Sequence, residues 1–153
     1  MTLEPVAIAL GSNLGDRERN LREAVAALRE VLIDLRVSSF HDTTPVGVGP
    51  QPRFLNGVAV GETSLDPRAL LARLLDIERR FGRERPHPGA ARTLDLDLIM
   101  YGDAVLTERD LTVPHPRFRE RAFVLAPFAE IAPEWRDPGT GLTVAQLLAA
   151  LRG

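Results

Sequence analysis

The residues 6–10, Val6-Ala7-Ile8-Ala9-Leu10, form a short apolar run that stops at Gly11-Ser12-Asn13, which predicts a buried strand followed by a loop. From Asp16 or Arg17 to about Ile33, the positions Leu21, Ala24, Val25, Leu28, Val31 and Leu32 recur at three- and four-residue spacing with Arg and Glu between them. That is an amphipathic helix, and Asn13 or Asp16 can cap it. Residues 35–40 alternate loosely around Val37 and read as a second strand; residues 54–60 read as a third. The polar, Pro/Gly-rich stretch 41–53 between them is longer than an ordinary hairpin connection, which suggests a function for it. Asp66-Pro67 is an N-cap followed by a proline in the first turn, and Leu70, Leu71, Leu74, Leu75, Ile77 and Phe81 carry a second amphipathic helix to Gly82. Residues 83–91, with Pro86, Pro88 and Gly89, are irregular. Residues 92–101 then alternate strictly, with Leu94, Leu96, Leu98 and Met100 on one face and Asp95, Asp97, Ile99 and Tyr101 on the other. Beyond them the pattern predicts a short hairpin near 103–106, a loop at 113–117, a helix over 122–131 and a last helix over 144–151 capped by Thr143.

The order β-α-β-β-α-β over residues 6–101 is that of a ferredoxin-like α+β sandwich, here with a C-terminal helical extension. Two helices cover one face of an antiparallel sheet. The other face is left to the two long loops and the C-terminal third, the natural place for a cleft. At 153 residues the chain is expected to form a single domain over 1–153.

Composition narrows the chemistry. With 44% hydrophobic and 26% charged residues the chain reads as globular. All 19 of its Lys+Arg residues are Arg, so Schiff-base chemistry, a lysine base and the P-loop are excluded, and phosphate must be held by arginine. Zero Cys excludes disulfides, thiol nucleophiles and zinc–thiolate sites. Neither a signal-peptide pattern nor a run of roughly 18 apolar residues is present, which predicts a cytoplasmic protein with no membrane partner. A net charge of -2, with aromatics at 5% and no RNP-like string, argues against a nucleic-acid partner.

Asp95 and Asp97 lie two apart on a strand, so their side chains share a face with Cα atoms about 7 Å apart. A cation between them would relieve their repulsion, and Mg²⁺ commonly takes one or two carboxylates with water and phosphate completing its shell. A solvated polar face accounts for the two aspartates equally well on pattern alone. Arg79, Arg80, Arg83, Arg85 and Arg92 precede or flank that strand, and Arg109, Arg117, Arg119 and Arg121 follow it, nine of the 19 arginines. Arginine forks match phosphate oxygens, so carboxylates and arginines together are parts for phosphoryl transfer. Arg79 and Arg80 read better as a solvated helix face pairing with nearby acids. Phe54 and Asn56, with hydroxyls at Thr43 and Thr44, could stack on and read the edge of a flat heterocycle, although Asn56-Gly57 is also the favoured dipeptide of a tight hairpin. His115, between Pro114 and Pro116, has no Ser or Cys partner at a recognisable spacing.

Arg92-Thr93-Leu94-Asp95-Leu96-Asp97-Leu98 is joined by Gly11-Ser12-Asn13-Leu14-Gly15, Thr43-Thr44-Pro45-Val46-Gly47, Gln51-Pro52-Arg53-Phe54-Leu55-Asn56, Ile77-Glu78-Arg79-Arg80-Phe81-Gly82-Arg83 and Val113-Pro114-His115-Pro116. Six motifs in order, from about residue 6 to 135, resemble the 6-hydroxymethyl-7,8-dihydropterin pyrophosphokinases of folate biosynthesis. The resemblance implies Mg²⁺-dependent transfer of pyrophosphate from ATP to the hydroxymethyl group of a reduced pterin, releasing AMP. It implies two Mg²⁺ ions on Asp95 and Asp97, with Asp97, Arg83 and Arg92 catalytic. ATP contacts carried over are Glu78, Arg85, Leu98, Thr112, His115 and Arg121. The pterin pocket carried over is Thr43, Thr44, Val46, Phe54, Asn56 and Phe123, the two phenylalanines sandwiching the ring. Some members carry a Trp where this chain has Gly89-Ala90-Ala91. Small-molecule substrates and a monomer are expected.

Overall fold

The computed structural model describes residues 2–43, 53–81 and 93–153. Its sheet is built around β1 (Glu4–Ser12), which pairs antiparallel with β4 (Phe54–Thr63) on one side and β5 (Asp95–Tyr101) on the other. β2 (Ile33–Val37) pairs with the C-terminal half of β4, and β3 (His41–Thr43) continues along the same edge against Phe54 to Asn56. The order β2-β4-β1-β5 is the ferredoxin-like arrangement expected from the element order.

α1 (Arg17–Arg29) and α2 (Pro67–Arg80) lie on one face. Asp16 caps α1 through the Arg19 N–H at 3.2 Å, and Asp66 caps α2 through the Ala69 N–H at 2.8 Å. Leu21 and Leu28 from α1 and Leu70, Leu74 and Ile77 from α2 meet Val6, Ile8, Leu10, Leu94, Leu96 and Leu98 in the first core. Each such side chain, fully removed from water, stabilises the fold by about 1.5–3 kcal/mol. The opposite face is partly covered by α3 (Ala122–Ile131) and α4 (Val144–Arg152), where Val124, Leu125, Phe128, Val144 and Leu147 bury Ala7, Val58 and Val60. Thr143 and Gln146 form a reciprocal capping box at the start of α4. Among the described residues no helix is long and apolar enough to cross a membrane.

Four expectations need correction. The helix predicted to run to about Ile33 stops at Arg29; Val31 and Leu32 keep its apolar spacing because they pack on the same core from the turn that follows, and Ile33 opens β2. The strand predicted over 35–40 is interrupted after Val37. There the Ser38 hydroxyl accepts the Val58 N–H at 2.9 Å, and Phe40 lies so close to Gly57 that a Cβ at that glycine would be 2.9 Å from its ring. The predicted hairpin at 103–106 lies further on, as β6 (Leu106–Glu108) and β7 (Leu111–Val113), because the left-handed turn residue is Asp110, with φ 64°, whereas Gly102 ends β5. The strict alternation over 92–101 fails after Leu98. Ile99 is extra in the ladder with β1, since Leu98 faces Ile8 and Met100 faces Ala7. This β-bulge changes the phase, so Ile99 and Met100 both join the α3/α4 core while Tyr101 packs toward α1 and α2.

Candidate active site

The bulge follows the two aspartates, so their facing is the one alternation predicts. Asp95 lies across from Gly11 and Asp97 across from Ala9, on the sheet face away from α1 and α2. Both are half-buried, and the floor beside them is made by residues with little or no side chain. Leu96, between them, turns into the core, and its N–H donates to Glu78 Oε2 at 2.8 Å. Glu78 is itself buried at the end of α2, so the carboxylate carried over as an ATP contact braces the main chain of the aspartate strand. No group of three or more His, Asp or Glu capable of holding a metal occurs among the described residues. Two carboxylates with the rest of the shell left to water and phosphate is a donor set that fits Mg²⁺.

On the same face, across β1 on β4, are the aromatic and the amide. Asn56 faces Gly11 from β4 and His41 from β3, while Phe54 faces Thr43. The Asn56 side-chain N–H donates to the Thr43 hydroxyl, which fixes the amide's orientation in a buried position. A Cβ on Gly11 would lie 3.0 Å from Asn56 Oδ1 and 3.6 Å from the Phe54 ring. Glycine therefore lets both side chains lean over β1, toward the aspartates. Asn56-Gly57 is continuous strand and not a hairpin turn.

His115 closes the acidic end. Its N–H donates to the carbonyl of bulged Ile99 at 2.9 Å, so the irregularity in β5 supplies the anchor for the 113–117 loop. His115 Nδ1 accepts the Arg117 N–H at 3.1 Å, which leaves the proton of the neutral ring on Nε2 as a donor. Burial holds the imidazole pKa below its usual value; the Arg121 and Arg117 charges act in the same direction and Asp95 opposes them. A neutral Nε2–H suited to a phosphate oxygen is the result. Arg121, at the start of α3, places its guanidinium 5.5 Å from the centre of the Phe123 ring. Phe123 stands in the first turn of α3 and is half-buried against the second core.

Other predicted positions fare differently. Leu98 is in the first core at 6% exposure, so its side chain serves packing. Thr112 lies on β7 between inward-facing Leu111 and Val113. Thr44, Val46, Arg83, Arg85 and Arg92 fall outside the described residues. Arg119, counted among the phosphate arginines, is committed elsewhere: its fork grips buried Asp137 through both oxygens, one contact at 2.8 Å, and stacks on Phe118. Arg79 pairs with Asp76 at 3.1 Å, in line with a solvated helix face.

Two networks have no signature in the sequence. Asp42 is held between Arg17 and Arg53, at 3.2 and 2.9 Å. Glu130 of α3 accepts the Ser39 N–H at 2.7 Å and the Ser39 hydroxyl at 2.8 Å, and lies 3.0 Å from His41 Nε2. Their partners are far apart along the chain, so no spacing rule could have found them.

A family model for 7,8-dihydro-6-hydroxymethylpterin-pyrophosphokinase matches residues 7–133. The chain belongs to this family. A pyrophosphokinase of Synechocystis, named for 2-amino-4-hydroxy-6-hydroxymethyldihydropteridine, is 47% identical over 143 residues, covering 92% of this chain and 73% of the relative. One of the same name from Bacillus subtilis is 43% identical, covering 91% and 84%. The crystal structure of Plasmodium falciparum HPPK-DHPS superposes with a TM-score of 0.77 at 14% identity, which shows the likeness of fold. This chain covers 97% of its own length there but 45% of that longer protein. The resemblance in the Asp-x-Asp strand and its companion motifs is thus a family membership, and the ferredoxin-like pyrophosphokinase fold carries the site just described.

Proposed function

We propose that this chain, as a single monomeric domain in the cytoplasm, transfers pyrophosphate from ATP to the hydroxymethyl group of 6-hydroxymethyl-7,8-dihydropterin, a step of folate synthesis. The observation that carries the reading is one cross-strand row, Asn56–Gly11–Asp95, with an amide suited to a heterocycle edge at one end and a carboxylate suited to a metal at the other. Two strand spacings put about 10 Å between those backbones, with only glycine in between. A pterin read by Asn56 and stacked on Phe54 would extend its hydroxymethyl group toward Asp95 and Asp97.

The balance is simple: the hydroxyl oxygen forms a bond to the β-phosphorus, the bridge to the α-phosphate breaks, AMP leaves, and the hydroxyl proton goes to solvent. Asp95 and Asp97 would hold Mg²⁺, in our reading two ions, and the metal would offset phosphate charge and acidify the hydroxyl. The protein's own contributions are positional. Glu78 fixes the strand carrying the aspartates, and Thr43 orients the Asn56 amide. His115 Nε2–H and Arg121 supply donors to ATP, and Phe54 and Phe123 provide apolar faces for the ring. Arg83, Arg85 and Arg92 are assigned to the phosphates, Thr112 and the Leu98 main chain to ATP, and Thr44 and Val46 to the pterin, on the motifs alone. Preorganised donors and carboxylates of this kind act mainly by positioning and charge stabilisation, as phosphoryl transfer requires. Incubating the chain with Mg²⁺, ATP and the hydroxymethyl dihydropterin should yield AMP and the pterin diphosphate in equal amounts. Release of ADP would sink the assignment.

A further inference from the structure

β3 is three residues long and lies on the sheet edge, yet it ends at Thr43, whose hydroxyl orients Asn56. Three cross-strand pairs hold such a strand weakly. It is gripped from both faces. Asp42 points toward α1, where Arg17 reaches it at 3.2 Å and also donates to the Arg53 carbonyl at 2.7 Å. His41, on the cleft face with Asn56, meets Glu130 of α3, and the same carboxylate takes both donors of Ser39 in the β2–β3 connection.

The two grips are not equivalent. Arg17 ties β3 to a helix on the far side of the sheet. Glu130 ties it to the helix whose first turn carries Phe123, so one carboxylate sets the spacing between the strand that orients Asn56 and the helix that presents the second ring face. Two of its three contacts are to groups of fixed or short reach, a main-chain N–H and a serine hydroxyl, so the spacing is held closely.

We propose that Glu130 is a positioning residue for pterin recognition: through Ser39 and His41 it clamps α3 to the β2–β3 connection and keeps Thr43, Asn56 and Phe123 in register. This rests on reading Asn56 and Thr43 as pterin-binding. Steady-state kinetics on the full chain, varying each substrate at saturating Mg²⁺ and co-substrate, tests it. Glu130→Ala should raise the pterin KM by about tenfold while the ATP KM and kcat stay within about twofold of wild type. Glu130→Gln keeps an acceptor for the Ser39 N–H and should fall between, at about threefold. It decides the matter should Glu130→Ala not fold. Leu147→Ala in α4, buried against the same core, should lower the melting temperature without moving the pterin KM. An unchanged pterin KM in the Glu130 variants, a parallel loss in the ATP KM and kcat, or an equal KM rise in Leu147→Ala overturns the proposal. If Asn56→Ala leaves the pterin KM unchanged, the underlying pocket is wrong and the proposal goes with it. A wild-type chain that makes no AMP would be a different failure, that of the reaction.

Discussion

Asp97 stands across from Ala9, half-buried, in a place where a strand gains nothing from an aspartate's propensity. In the proposed reading its charge would serve a metal and not the apolar cores, which lie on Leu96 and Leu98 beside it and on Ile99 beyond. Asp97→Asn should therefore cut turnover by roughly 10³-fold or more while moving the melting temperature by only a few degrees. Activity assays and a thermal melt on the same preparation check both halves. The aspartate pair was legible because period-two alternation needs no tertiary information until the ladder is interrupted. His115 was not legible in this way. Its protonation follows from burial, from Arg121 and Arg117, and from the Arg117 N–H bonded to Nδ1, all products of the folded loop.

At the level of elements, β5 is held on one side by β1 and on the other by a buried side chain. Glu78 takes the Leu96 N–H at 2.8 Å, a bond made to a side-chain oxygen away from water. Removing that acceptor strands a buried donor, which costs about 1–3 kcal/mol. Glu78→Ala should lower stability by that order and speed amide hydrogen exchange at Leu96, measured by NMR, more than at Leu10 on β1. Equal protection in variant and wild type would return Glu78 to the role of a ligand contact alone. The helix starts were readable to the residue because their caps are local, and α2, α3 and α4 end within two residues of expectation, but α1 stops four residues before the expected Ile33. The break after Val37, the bulge at Ile99 and the short β3 were not readable. Each is set by what sits opposite: Val58 against Ser38, Ala7 and Ile8 against Ile99, and Glu130 against His41.

At the scale of the whole molecule, Asp42, Glu130 and Asp137 each join distant parts of the chain, and each has its pKa held below the ordinary carboxylate range. The Arg17 and Arg53 side-chain hydrogen bonds do this for Asp42, and the Ser39 N–H and His41 for Glu130. At Asp137, burial pushes upward, but Arg119, Thr140 and the Gly139 N–H outweigh it. A carboxylate lowered by folding contributes stability above its unfolded pKa and loses it as pH falls through the folded one. The melting temperature should thus be level above about pH 7, sag modestly below about pH 6.5 because folding lowers the His115 pKa, and decline steeply from about pH 4 downward as the carboxylates protonate. Asp137→Asn should start from a lower plateau and decline less steeply, as calorimetry across pH would show. A variant curve parallel to wild type would assign acid sensitivity elsewhere. The general architecture was legible from element order, whereas these long-range charge ties were not, since charged residues at a quarter of all positions offer too many possible pairs.

The central place of β1 bears on how the protein is made. It leaves the ribosome before its partners, and its ladder is completed only by Phe54–Thr63 and then by Asp95–Tyr101, with Val6 pairing to Tyr101. During synthesis this central strand must wait, with both edges open, until Tyr101 has emerged. Ala7, Ala9 and Gly11 alternate through it, so the small residues that admit α3 at one end and leave the face open beside the aspartates at the other also make the waiting strand less adhesive than a run of Val or Ile would be.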